Sequence, residues 1–189
     1  MRHGEPSGIA RAPVDAAGMA LWIAEYDATD IRDGMTDVDP LALAGSDAVI
    51  LCSSMRRAVS SAKRIARGCE VVVLPDAFEA PLPVPGSGRL RLSPDTWLAL
   101  LRMGWFCGVS GGAERPAETL NRASGIADIL KERATGEGAA VFVGHGILNG
   151  FIAKVLRRRG WLGPRFPASG YWQSSLYEAP AVQDTRVSA

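Results

Sequence analysis

Three short runs of apolar, largely β-branched residues punctuate the chain: Asp47 to Cys52, Glu70 to Leu74 and Ala139 to Val143. Each has the length of a strand buried on both faces rather than the alternation of a half-solvated one. Between them the apolar positions recur at helical spacing. Met19, Leu21, Trp22, Ile23 and Tyr26 predict a helix over Val14 to Asp27. Ser53 and Ser54 are N-cap candidates for a helix over Met55 to Arg67, closed by Gly68. Ser93-Pro94 opens a helix over Asp95 to Phe106. Ala117 to Ala134 and Ile147 to Arg159 complete the set, and Tyr171 to Glu178 reads as a final strand.

The remaining stretches are irregular. Residues 1–18 are rich in Gly, Pro and Ala, and Ile31 to Pro40 is an acidic connection before a short helical turn at Leu41 to Ala44. Pro75 to Pro94 holds five prolines and two glycines; strands of one pattern flank it, so it reads as an active-site loop rather than a linker. Gly108 to Pro116 is a loop, and residues 180–189 read as a frayed tail. Strands alternating with helices imply an α/β fold, a three-layer α/β/α sandwich on a mostly parallel sheet. A length of 189 residues suits a single domain over 1–189.

Composition narrows the function classes. Net charge is +1, so no global field calls for nucleic acid or a membrane as partner. The basic runs at Arg56, Arg57, Lys63, Arg64 and Arg67, and at Lys154 and Arg157 to Arg159, read as solvated helix faces. Cys52, Cys69 and Cys107 are odd in number and lack a CxxC spacing, which argues against disulfide or zinc scaffolds and suits a cytoplasmic protein. No run is long and apolar enough to span a bilayer, and the residues after Met1 carry no signal-peptide pattern.

Chemistry concentrates where strands hand over to helices. Ligands of open α/β sheets bind at such ends, where helix N-termini present free N–H groups. Ser53-Ser54-Met55-Arg56-Arg57-Ala58 and Gly144-His145-Gly146 each follow a strand and open a helix. Arg2-His3-Gly4-Glu5 is the third cluster, and both histidines of the chain precede a glycine, which lets a substrate approach the ring closely. Imidazole is a nucleophile that is largely neutral at pH 7, and arginine matches phosphate oxygens bidentately. A unit charge pair at 4 Å is worth roughly 4 kcal/mol at an effective dielectric near 20, so several such contacts can bind phosphate without a metal.

These motifs resemble the histidine phosphatase superfamily, which includes the cofactor-dependent phosphoglycerate mutases. Arg2-His3-Gly4 matches its Arg-His-Gly triplet. The run Ser53 to Ala58 is similar to its Ser-x-Leu-x-Arg-Ala helix start, with Met55 in the Leu place and Arg57 as the motif arginine. His145-Gly146 matches its late His-Gly, and the order along the chain agrees. The resemblance implies a metal- and cofactor-independent phosphomonoesterase of the small phosphatase branch, with His3 as nucleophile forming a phosphohistidine. It further implies that Arg2, Gly4, Ser53, Arg57 and His145 bind the phosphoryl group, His145 also serving catalysis, and that Arg56 is a surface residue. The resemblance also implies a general acid in the loop after the second strand: Glu79, favoured because its setting between Phe78 and a Pro-rich turn resembles the family's acid loop, or Asp76. Asn149 is a further hydrogen-bonding candidate.

Two departures from the family pattern qualify the expectation. A buried strand usually runs straight into the triplet, which here starts at residue 2, so either the start is placed too late, or the sequence is truncated, or the sheet lacks that strand, a loss that would open two ladder edges and leave His3 frayed. The short Pro-rich segment lacks the mutases' longer cap, which favours a phosphatase over a mutase, for which Arg89, Arg91 and Arg102 are conceivable second-site residues. A phospho-ligand-binding protein without turnover is the rival reading. A cysteine phosphatase built on Cys52 and Arg57 is disfavoured, because no glycine lies between them to turn a phosphate loop. The expected partner is a small phosphorylated substrate or inorganic phosphate. Trp97, Trp105, Phe106 and Trp172 are candidate walls of a leaving-group pocket. Substrate identity and oligomeric state are not legible.

Overall fold

The structure, a computed structural model, describes residues 1–34, 48–66 and 70–180. Its elements in chain order are α1 (Ala16–Ala28), β1 (Val49–Ser53), α2 (Arg56–Ala66), β2 (Val71–Leu74), α3 (Pro94–Phe106), α4 (Pro116–Glu137), β3 (Ala140–Val143) and α5 (Gly146–Arg158). The expected turn at Leu41 to Ala44, the closing Gly68 and the tail from 181 onward lie outside the described residues.

The sheet is parallel with strand order β2-β1-β3, Ile50 facing Val71 on one side and Val141 on the other. Successive side chains of a strand point to opposite faces, and here that alternation builds two separate cores. Ile50 and Cys52 join Val141 and Val143 beneath Ala58, Ala62 and Ile65 of α2. Leu51 and Phe142 join Ala123 and Ile126 of α4 and Leu148 and Ile152 of α5. The result is the expected α/β/α sandwich. α1 and α3 pack on each other to the side. Asp15 caps α1 by accepting from Gly18 N at 2.9 Å, and Ser93 caps α3 by accepting from Thr96 N at 3.2 Å with Pro94 behind it.

Two expectations are corrected. Tyr171 to Glu178 is no strand: it begins in a turn at Tyr171 and Trp172, and its one bridge, Glu178 to Leu162, is isolated. Apolar pattern alone does not make a strand, which also needs a ladder partner along its length. The second correction concerns the N-terminus, where His3 is not frayed but 1% exposed. Arg2 bridges Gly144 in parallel beyond the end of β3, His3 N–H donates to Gly144 O at 3.0 Å, and Gly144 N–H donates to Met1 O at 3.0 Å. On the other side Arg2 N–H donates to Gln173 O at 2.9 Å, and Trp172 N–H donates to Arg2 O at 3.2 Å. Bonds on both edges hold a short terminus that composition alone marks as loose.

Candidate active site

The three motif clusters converge at the carboxyl end of the sheet. The rings of His3 and His145 lie 5.0 Å apart between centroids. His3 Nδ1 sits 2.7 Å from Gly4 O, a partner that can only accept, so Nδ1 carries the proton and Nε2 holds the free lone pair. Gly4 N–H in turn donates to Ser61 Oγ at 2.9 Å, and Ser61 donates to Arg57 O at 2.6 Å, which locks the triplet onto α2. Gly4 is needed for space: a Cβ there would stand 2.3 Å from the ring of Trp172. Trp172 itself has φ 64, a left-handed backbone that is costly for a bulky residue and lays its ring over the triplet.

Burial sets the protonation of both rings. Desolvation, with smaller repulsion from Arg57 and Arg2, pulls His3 down to about 3 against the hydrogen bond to Gly4. Desolvation and the neighbouring Arg57 hold His145 well below the ordinary imidazole range. Both rings are therefore neutral at pH 7. His145 Nε2 lies 2.8 Å from Ser53 Oγ, which also accepts from Met55 N–H at 3.2 Å. A hydroxyl that accepts there has its own proton free to donate, which places the lone pair on Nε2 and the proton on Nδ1. His145 Nδ1 is buried and has no partner.

The same is true of Arg2 Nε and Arg57 Nε. The outer nitrogens of the Arg57 guanidinium are occupied, donating to Tyr26 O at 3.0 Å and to Asp27 Oδ1 at 3.4 Å, at the C-terminal end of α1. That end carries partial negative charge and seats the buried cation. Arg2 donates to Ser169 O and lies 4.3 Å over the Tyr171 ring, whose face is 5.7 Å from His3. Arg2 Nε, Arg57 Nε and His145 Nδ1 are thus three buried nitrogens without a partner among residues whose charges bear on His3, whereas buried donors are almost always paired.

Glu79 reaches the site, while Asp76 stays exposed in the turn after β2. The Glu79 carboxylate accepts from Leu148 N–H at 2.9 Å, Ile147 N–H at 3.1 Å and Ala80 N–H at 2.9 Å, and so caps α5 directly beside His145. The loop that carries it is held by Arg122, which donates to Asp76 O and Phe78 O at 2.8 and 2.7 Å and pairs with Glu114 at 2.7 Å.

Other expectations resolve individually. Arg56 is exposed. Asn149 donates to Met1 O at 3.0 Å and supports the terminus rather than the pocket. Of the four aromatic wall candidates, Trp172 covers the triplet, whereas Trp105 is fully buried against Phe106 and Phe151. Arg91 donates to Pro13 O on the surface. Arg102 is the exception among the three second-site arginines: it donates to Ala80 O at 3.0 Å, and its other outer nitrogen is buried without a partner. Cys52 lies in β1 with its thiol pushed up to about 11 by burial, so it carries no thiolate for a cysteine mechanism. Among the described residues no group of three His, Cys, Asp or Glu could hold a metal. None of the described helices is long and apolar enough to cross a membrane. Ser61, Tyr26, Asp27 and Tyr171 were not foreseen, because what places them is contact across the fold.

No protein-family model matches the chain, and no curated protein matches its sequence. Solved structures do. A mycobacterial glucosyl-3-phosphoglycerate phosphatase in complex with inorganic phosphate is 18% identical over 94% of this chain and 93% of that chain, with a TM-score of 0.52. A variant phosphoserine phosphatase from Entamoeba histolytica in complex with phosphoserine is 14% identical over 94% and 92%, with a TM-score of 0.51. A mycobacterial hydrolase is 15% identical over 94% and 93%, with a TM-score of 0.50. The chain shares the fold of these solved structures.

Proposed function

We propose that this chain, built on the histidine phosphatase fold, is a metal-independent phosphomonoesterase that works through a phosphohistidine on His3. The observation that carries the reading is three unpartnered buried nitrogens, Arg2 Nε, Arg57 Nε and His145 Nδ1, on the residues that neighbour a neutral His3. A phosphoryl dianion satisfies all three at once, and its developing charge in the transition state strengthens each contact.

In the first step His3 Nε2 attacks phosphorus; the N–P bond forms as the ester P–O bond breaks. The leaving oxygen takes a proton from the Glu79 carboxyl. In the second step Glu79 accepts a proton from water as the water oxygen attacks phosphorus, and the N–P bond breaks to release phosphate. Nδ1–H, held on Gly4 O, keeps Nε2 aimed throughout. The leaving group is read as small and polar, because a cleft of about 250 Å³ opens beside Arg2 and Tyr171, lined also by Trp22, Tyr26, Arg32 and Asp95.

A second reading has its own support. With three N–H donors Glu79 is well satisfied as a helix cap, and a chain that used it only so would bind phosphate without turnover. Hydrolysis of an aryl phosphate in the presence of chelator separates the two. Activity that survives chelator and disappears in His3→Ala supports the phosphatase; phosphate binding without hydrolysis in the parent chain supports the binding protein.

A further inference from the structure

The phosphate seat proposed above is closed. His3 and Arg57 are each 1% exposed and His145 0%, and Arg2 Nε, Arg57 Nε and His145 Nδ1 are buried out of reach of a water molecule. A phosphoryl group is larger than water, so a side chain has to leave before one can reach His3 Nε2. Tyr171 stands where that approach begins. It lines the cleft of about 250 Å³, it is 38% exposed, and its ring lies 5.7 Å from the His3 ring between centroids. The Arg2 guanidinium lies 4.3 Å over the same Tyr171 ring. Its neighbour Tyr26 in turn lies under the Arg57 guanidinium at 4.7 Å, and burial, then Tyr171, raises the Tyr26 hydroxyl above its usual range. One phenol therefore borders the nucleophile and one cation of the seat, and neighbours the ring that carries the other cation.

We propose that Tyr171 is the gate of this site: its phenol ring fills the approach to His3 and swings into the cleft to admit a phosphoryl group, which takes its place beside Arg2. The backbone around the ring is fixed. Trp172 N–H donates to Arg2 O at 3.2 Å, Gly170 N–H donates to Gln173 Oε1 at 3.0 Å, and Arg2 donates to Ser169 O. Trp172, at φ 64, holds a conformation that persists only where its surroundings enforce it. The Tyr171 side chain is thus the part that moves, and exposed side chains change rotamer fast. Opening gives up the stacking of Arg2 on the ring, and the charge-assisted bond of Arg2 to phosphate is the stronger contact, so the dianion favours the open state. The affinity of the chain for phosphate is then lowered by the fraction of molecules whose gate is shut. The inference rests on the phosphate seat of the phosphatase reading, and its test needs no turnover.

Diethyl pyrocarbonate acylates neutral imidazoles that it can reach, and both histidines are neutral at pH 7, so labelling mapped by peptide reports access to each. The full chain is compared with Tyr171→Ala and with Tyr171→Phe, which keeps the ring. His3 is expected to label at least about tenfold faster in Tyr171→Ala than in the parent, and near the parent rate in Tyr171→Phe. Inorganic phosphate is expected to slow the labelling of His3 in Tyr171→Ala. Parent-like labelling of His3 in Tyr171→Ala overturns the proposal, and so does labelling as fast in Tyr171→Phe as in Tyr171→Ala. Faster labelling of both histidines together with a lowered thermal midpoint also overturns it, because the ring would then be packing alone. Faster labelling of His3 alone that phosphate does not slow supports the gate and contradicts the phosphate seat instead.

Discussion

Replacing Glu79 separates its helix-capping bonds from the proton transfer proposed for it. Its carboxylate accepts from two N–H groups of the first turn of α5, Ile147 and Leu148, and from Ala80. Glu79→Gln keeps one carbonyl oxygen in place, so the loss is the difference between charge-assisted and neutral hydrogen bonds, about 1 kcal/mol. Glu79→Ala leaves the helix donors unpaired, a loss of about 2 kcal/mol, or about 4–8 °C in Tm for a domain of this size. Proton transfer is lost in both variants alike, about 10²- to 10⁴-fold in kcat. The assay pairs thermal unfolding with steady-state hydrolysis of two aryl phosphates of different leaving-group acidity. Glu79→Gln is expected to unfold near the parent temperature and to be slow on the poor leaving group, with a smaller defect on the good one. Parent-like kcat on the poor leaving group in Glu79→Gln, with a lowered Tm in Glu79→Ala, would mean that Glu79 is a helix cap alone.

Other expectations follow from the same geometry. His3 titrates near 3 folded against about 6.5 unfolded, so the unfolded chain binds the extra proton between those values and stability falls as pH drops through that window. The loss reaches about 3 kcal/mol near pH 4, and unfolding titrations of His3→Asn are expected to show a shallower acid limb. Gly4→Ala drives a Cβ to 2.3 Å from the Trp172 ring and is expected to abolish phosphate-induced thermal stabilisation while the chain still folds; an unchanged phosphate shift would contradict the packing described. Arg57→Lys keeps the charge but not the fork that spans Tyr26 O, Asp27 and the pocket, and should weaken phosphate binding by about tenfold or more in calorimetry.

The parts of this structure legible in the sequence are those set by local pattern. β-branched runs located β1, β2 and β3, because strands buried on both faces have no polar alternation to confuse them. Ser93-Pro94 marked a helix start by its capping chemistry alone. His3, Arg57 and His145 stood out because their motif order resembled a known family, and Glu79 over Asp76 because its setting resembled that family's acid loop. What could not be read depends on distant partners. Ser61 matters through Gly4, 57 positions away, and nothing in its own surroundings reports that bond. Arg102 reads as a solvated helix residue until Ala80 O appears beside it. The terminus composed of Met1 to His3 looks frayed because the Gly144 and Gln173 groups that hold it come from the far end of the chain.

The central claim is a covalent intermediate on His3, and trapping it is the most direct measurement. The chain is mixed with a labelled phosphomonoester in chelator, quenched in denaturant at alkaline pH within the first turnover, and mapped by peptide. The account expects a phosphoramidate on His3, stable in alkali and lost in acid, that forms and decays at the rate of hydrolysis. Turnover with no label on His3, or with label on another side chain, would contradict it.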